Sequence, residues 1–152
     1  MALWSDPDIH CLLTAQGISP NRTVLIETWL REMSSKKLHV CQQGEEILRV
    51  LGALTIVPKR GEGCAFYMED VLFDPMEEGA VEREIIEIWE AELGRNLMPI
   101  GVDSRDDRIV IDDEGCIYSI AQGNMACRHG DDLRTSLRGL LLADRKPILL
   151  LS

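Results

Sequence analysis

Fourteen carboxylates and four arginines lie between Asp74 and Glu114, a local balance of −10 that equals the net charge of the whole 152-residue chain. Residues 1–73 carry nine acids against seven bases and residues 115–152 carry three against five, so the two flanks cancel. Carboxylates at this density offer three chemistries: holding a metal, exchanging protons as a general acid and base, or pairing with a partner's cations. A calcium loop needs alternating ligands, a glycine at its sixth position and a glutamate at its twelfth. The stretch from Asp103 to Glu114 has the length, but Arg105 stands third, Arg108 sixth and Val110 eighth, so positive charge falls where the ion belongs. His39-Val40-Cys41 and Cys127-Arg128-His129 have gaps of one residue, narrower than the two to four typical of zinc modules. An acid/base pair needs one carboxyl held in an apolar pocket, and no spacing here singles one out. The chain also lacks a Gly-x-Ser-x-Gly elbow, a phosphate-cradling glycine loop and a His-Glu-x-x-His helix. The expectation is no enzyme, no cofactor and no bound metal. Charge pairing remains, and an acidic surface attracts a basic partner while repelling nucleic acid and anionic membrane.

These acids need elements to position them. Asp6, Pro7 and Gly17 have the types wanted at an N-cap, a first helical position and a helix stop, predicting a helix over 6–16. Ile26, Trp29, Leu30 and Met33 at helical spacing predict a second over 23–34, and Ile47, Leu48 and Leu51 a third over 44–51. Residues 53–57 and 63–67 are β-prone and separated by Pro58-Lys59-Arg60-Gly61, which predicts strand, turn and strand. Asp74, Pro75 and Glu77 fit a capped helix start, and the apolar Val81, Ile85, Ile86, Ile88, Trp89 and Leu93 predict a helix to Leu93, closed by Gly94. Glu77 and Glu78 fall in its first turn, where the helix dipole favours negative charge. Glu84, Glu87 and Glu90 fall on its outer face with only Arg83 to offset them. Strands are predicted over 97–102, 108–111 and 116–120, the last two joined by Asp112-Asp113-Glu114-Gly115, whose glycine can take positive φ. A helix over 131–142 and an apolar tail over 147–151 complete the chain. Trp29 and Trp89 are expected in the core, and Trp4 as a cap on the first helix.

With 45% apolar and 28% charged residues, a chain of this length can bury a core without disulfide or metal support. Five scattered cysteines with no Cys-x-x-Cys pair suit a reducing compartment. The opening MALWSDPDIH lacks a basic flank and an apolar stretch, and no apolar run approaches the ~20 residues that span a bilayer. One domain, 1–152, in the cytoplasm is the expectation, with oligomeric state open. Helices first, then strands interrupted by one helix, is an α+β order.

Several segments share an order with a known family. Leu12-Leu13 precedes Gly17-Ile18-Ser19-Pro20-Asn21-Arg22, then Trp29, then Leu51-Gly52-Ala53-Leu54. Pro99-Ile100-Gly101 follows, then the hairpin Ile111-Asp112-Asp113-Glu114-Gly115-Cys116-Ile117-Tyr118, then Gly130-Asp131-Asp132 before a leucine-bearing helix. Together these resemble the SUKH superfamily, in particular the third of its bacterial immunity-protein families. The chain departs from the pattern at Ile18, where the family has Trp, and at Asn21 and Ala53, where it has Gly. Asn tolerates the left-handed conformation, so the first turn can persist.

The resemblance implies an α+β fold with a central antiparallel sheet flanked by helices. It also implies a non-enzymatic role: binding and neutralising a toxin domain of a contact-dependent or secreted polymorphic toxin. Many such toxins are nucleases with basic surfaces that an acidic inhibitor can occupy. The residues expected to pair with that surface are Glu84, Glu87 and Glu90 on the helix, with Asp103, Asp106, Asp107, Asp113 and Glu114 in the turns. Turns gathered on one edge of the sheet, beside the helix, would form one negative face. The alternative is a regulatory protein-interaction module, since the superfamily includes such members.

Overall fold

A computed structural model describes residues 2–77, 83–121 and 124–151. Its helices are α1 (Ala2–Ser5), α2 (Pro7–Ala15), α3 (Glu27–Ser35), α4 (Gln42–Leu51), α5 (Arg83–Leu93) and α6 (Leu133–Leu142). Its strands are β1 (Thr55–Ile56), β2 (Val71–Leu72), β3 (Leu97–Asp103), β4 (Arg108–Asp112), β5 (Ile117–Ile120), β6 (Met125–Arg128) and β7 (Ile148–Leu151). The strands form one seven-stranded sheet in chain order, antiparallel throughout. The α+β architecture with a helix-flanked antiparallel sheet is the one expected.

The centre of the sheet is sealed: every residue of β4 and β5, and all of β3 except Asp103, is buried. Such strands read as near-continuous aliphatic runs, as Ile109-Val110-Ile111 does. Helix α4 lies close against this sheet, because a Cβ at Gly44 would sit 2.4 Å from Met98 Sδ. Helix α6 is stitched to β5 where Ser136 Oγ accepts the Ile117 amide at 3.1 Å. Trp89 and Phe73 are the largest fully buried side chains, while Trp29 is partly buried.

The family-like motifs act as fasteners. Arg22 donates to the carbonyls of Val50 and Gly52, tying the first turn to the end of α4. Gly52 is required because a Cβ there would stand 2.8 Å from the Trp29 ring. Ala53, where the family has a second glycine, sits at φ 66°. Asn21 does not take positive φ; that role falls to Gly17 at 79°. Gly101 lies under β2, where a Cβ would meet the Leu72 carbonyl at 2.3 Å.

Several expected elements are corrected. Residues 63–67 are not a strand: Gly61 and Gly63 hold φ of 93° and 87°, which breaks an extended ladder, and β1 pairs instead with Val71–Leu72. Nor does a helix begin at Asp74. Its Oδ1 accepts the Met76 amide at 2.9 Å, a local turn that competes with helix entry, and Pro75 and Met76 lie in that turn. The described helix begins at Arg83, and the expected positions of Glu78 and Val81 lie outside the described residues. Residues 23–26 form no helix, with the Val24 amide on the Arg49 carbonyl at 2.7 Å, so α3 starts at Glu27. The apolar tail is the strand β7, paired with β6, which the sequence reading did not find.

Candidate functional site

β4 is only five residues long, yet the acids on either side of it occupy different parts of the molecule. In a meander, successive turns fall at opposite ends of the shared strand, here roughly 17 Å apart at about 3.4 Å per residue. The β3–β4 turn carries Asp103, Asp106 and Asp107, and the β4–β5 turn carries Asp113 and Glu114. The expected single acidic edge therefore divides into two.

At the β4–β5 end the acids are largely occupied. Asp112 is buried and accepts four hydrogen bonds: on Oδ2 from Tyr118 OH at 2.9 Å and Arg95 Nη1 at 2.8 Å, and on Oδ1 from the amides of Glu114 at 2.9 Å and Cys116 at 3.0 Å. Arg95 also holds Glu114 at 2.9 Å, and His39 Nε2 lies 2.6 Å from Asp113 Oδ1. The hydrogen bond to Asp112 pushes the Arg95 guanidinium above its ordinary value, while burial and then the Asp112 carboxylate raise the Tyr118 phenol. Gly115, at φ 90°, completes the turn under Leu133. The end of α5 joins this group, since Gly94, Arg95 and Asn96 line a small cleft with Asp112, Asp113 and Glu114.

At the β3–β4 end, Asp103 Oδ1 accepts the amides of Arg105 at 2.9 Å and Asp107 at 3.0 Å, folding the turn around its own carboxylate. Asp106 is exposed and left-handed at φ 65°. The loop 57–70 is sewn to this turn. Ser104 donates its amide to the Asp70 carbonyl at 3.0 Å and its hydroxyl to Glu69 at 2.6 Å, while Arg105 Nε donates to Glu69 at 3.0 Å. Arg60 bonds Asp70 at 2.6 Å and lies 4.7 Å over the Tyr67 ring. Phe66 and Tyr67 are 40% and 56% exposed beside it. Glu77, Asp70, Asp103 and Asp106 line one cleft of about 320 Å³.

Carboxylates outnumber cations here, and their titration records it. Burial, and then the neighbouring Asp107, pushes the Asp103 carboxyl up to about 6, and burial raises Asp107 as well. The Ser104 hydrogen bond holds Glu69 below the ordinary range.

On α5, Glu84 and Glu87 are exposed, and Glu87 takes Arg83 at 2.7 Å. Glu90 accepts the Leu97 amide at 2.9 Å, so it fastens the helix to β3. Sequence reasoning missed Glu69, Asp70, Arg60, Phe66 and Tyr67, because Glu69 and Asp70 lie in the near-neutral first 73 residues and meet the turn across 34 or more positions. It also missed the clamp of Arg138 on Asp6 at 2.8 and 2.9 Å, with Asp8 at 3.1 Å and Asp144 at 2.9 Å. Burial pushes the Asp6 carboxyl up, but Arg138 and the amides of Ile9 and Asp8 together hold it below its ordinary value.

Among the described residues no three His, Cys, Asp or Glu converge to hold a metal ion. Ser119 Oγ and His129 Nε2 lie 2.6 Å apart, but both are buried, and burial lowers the imidazole to about 4. A nucleophile there would be sealed from substrate. No helix among the described residues is long and apolar enough to cross a membrane.

Comparison with known proteins adds one match: the model of a family described as SUKH-3 immunity protein covers residues 5–143. No curated protein and no solved structure matches the chain.

Proposed function

The chain belongs to the SUKH-3 immunity protein family, and on that footing we propose that it binds and neutralises a cognate protein toxin through the acidic β3–β4 end of its sheet. The surface consists of Asp103, Asp106 and Asp107 with Glu69 and Asp70, flanked by Phe66 and Tyr67. The partner is a basic protein surface, and a nuclease is the toxin class whose own substrate demands one. No covalent chemistry is assigned to the chain.

The observation that carries this reading is the tethering of the aromatic loop to the acidic turn through Ser104, Arg105, Glu69 and Asp70. Binding energy concentrates in a few aromatic and arginine anchors surrounded by complementary charge, and this end offers both on a preorganised scaffold. Exposed Glu84 on α5 adds a further carboxylate, whereas Glu87 is offset by its pair with Arg83. Glu90, Asp113 and Glu114 contribute less, because each is already engaged within the fold. Steered association of this kind weakens as salt rises.

The test is co-expression with the toxin encoded beside it, pull-down, and association kinetics across a salt series. A complex whose association rate falls steeply with salt supports the reading. A salt-independent complex sinks the acidic surface, and no complex sinks the toxin partnership.

A further inference from the structure

Helix α2 and the end of α6 meet the loop around Lys59 at a cleft of about 460 Å³, larger than the acidic cleft and within the ~300–1,000 Å³ of small-ligand sites. Leu12, Ala15 and Leu142 supply its apolar lining, and Lys59 and Arg138 its cations. The loop is pinned to α6: the Lys59 amide donates to the Leu141 carbonyl at 2.8 Å, and the Cys64 thiol lies 3.4 Å from the Lys59 carbonyl and 3.6 Å from that of Leu142. The Lys59 ammonium lies over Gly63, which also lines the cleft, 3.8 Å from where a Cβ would stand. Asp8 and Asp144 line it too, but both are held by Arg138, at 3.1 and 2.9 Å. With buried Asp6, Arg134 and Arg145 they form a network of three acids and three arginines, balanced in charge. Two donors are left over. Arg138 bonds only through Nε and Nη1, so its Nη2 donates to nothing among the described residues. The Lys59 ammonium has neither hydrogen bond nor ion pair there, and it is the one charge of the cleft that the network does not neutralise.

We propose that this cleft binds a small organic anion, one carboxylate on an apolar body. The carboxylate is taken by Lys59 Nζ and Arg138 Nη2, and the body lies against Leu12, Ala15 and Leu142. Charge-assisted hydrogen bonds of this kind are the strong ones, and a guanidinium presents its donors in a planar fork that suits a carboxylate. Asp6, Asp8 and Asp144 already fix Arg138 in place, so little side-chain freedom is lost when the ligand arrives. The apolar lining selects against a bare inorganic anion, which would leave the leucines uncovered. An ammonium on the same apolar body would meet Lys59 with like charge. A free carboxylic acid and the C-terminal carboxylate of a peptide share this chemistry. The cleft has no residue in common with the acidic docking surface, so the inference stands apart from the toxin reading.

Hexanoate and N-acetyl-leucyl-leucine, titrated into the nitrogen-labelled chain at constant ionic strength, test it. The expected result is a saturable shift of the Cys11, Leu12, Ala15, Gly63 and Leu142 amide resonances, with a dissociation constant on the order of a few mM for so small a ligand. The tighter probe tells a free acid from a peptide terminus. Lys59→Gln should weaken hexanoate about threefold or more. Hexanol and hexylamine should bind the parent more weakly than hexanoate does. Cys11 also lines the cleft, so hexanoate should slow its alkylation by iodoacetamide in the parent chain, a reading that needs no variant. Absence of both the saturable shifts and the Cys11 protection overturns the proposal. So does hexanol or hexylamine binding as tightly as hexanoate, or a folded Lys59→Gln chain that binds hexanoate like the parent.

Discussion

At one end of β4 the chain places Asp103, Asp106 and Asp107, and at the other Asp112, Asp113 and Glu114. Each end has three carboxylates, but their use differs. The second trio meets Arg95, His39, Tyr118 and two amides within one turn, so its charge is consumed in holding α5, β4 and β5 together. The first trio shares its end of the sheet with two further acids, Glu69 and Asp70, which Arg105 and Arg60 pair with, and Asp106 is left exposed. An acidic residue is a fastener where the fold brings cations to it. It is a candidate contact where the fold brings more acids. The count of charges along the sequence does not distinguish the two.

The sharpest way to break the comparison is at Asp112. Asp112→Ala leaves a buried phenol and two amides without their acceptor, and should cost about 3 kcal/mol or more of stability, read as a lower urea midpoint with little change in slope. Asp107→Ala, at the other end, should cost well under half of that. Comparable losses at the two ends would erase the distinction drawn here.

Binding should show the reverse order. Asp106→Lys with Asp107→Lys is expected to slow toxin association about tenfold at low salt, equivalent to about 1.4 kcal/mol. Asp113→Lys with Glu114→Lys should change it less than twofold, because those charges are already paired. Equal effects from the two pairs, followed by stopped-flow mixing, would return the docking surface to the whole acidic segment.

Much of this was legible beforehand, and the limit lies at a definable point. The Asp112–Gly115 turn, the Asp6 cap and the strands β3, β4 and β5 were readable because their signals are local and their residue types are dictated by backbone geometry. The α5 start was misread because Asp74 satisfies its capping preference on Met76 within a turn, using up a signal that normally opens a helix. The composite site was hidden for a different reason. Ser104 and Arg105 reach Glu69 across 35 and 36 positions, and no periodicity encodes a contact between two loops. Even the meander rule, which assigns successive turns to opposite ends, needs the strand order before it can divide the acids.

The pH dependence of stability tests the crowding at the β3–β4 end. Asp103 titrates near 6 in the fold against an ordinary 3.8, so the native chain binds the extra proton. Stability from this group is present below the ordinary value and lost as pH rises through about 6, the direction opposite to a salt-bridged carboxylate. Asp103→Asn keeps an oxygen for the Arg105 and Asp107 amides but removes the charge. It should leave the melting temperature unchanged near pH 4 and raise it above pH 6. A melting-temperature difference that is constant across that range would show that Asp103 is not destabilised by its neighbours.

The smallest expected effect separates strain from charge. Ala53 and Asp106 are both left-handed, at 66° and 65°, a conformation that costs a non-glycine residue on the order of 1 kcal/mol, less for Asp than for Ala. Ala53 sits behind Arg22 in the fastening of α4, so Ala53→Gly should stabilise the chain by about 0.5–1 kcal/mol and leave toxin association untouched. Asp106→Gly should stabilise it by about a few tenths of that scale while weakening association, because the strained residue belongs to the proposed docking surface. Urea melts and association rates on the two variants give four numbers. If Asp106→Gly behaves like Ala53→Gly in both measurements, the strain at the turn has no connection to binding and Asp106 leaves the surface.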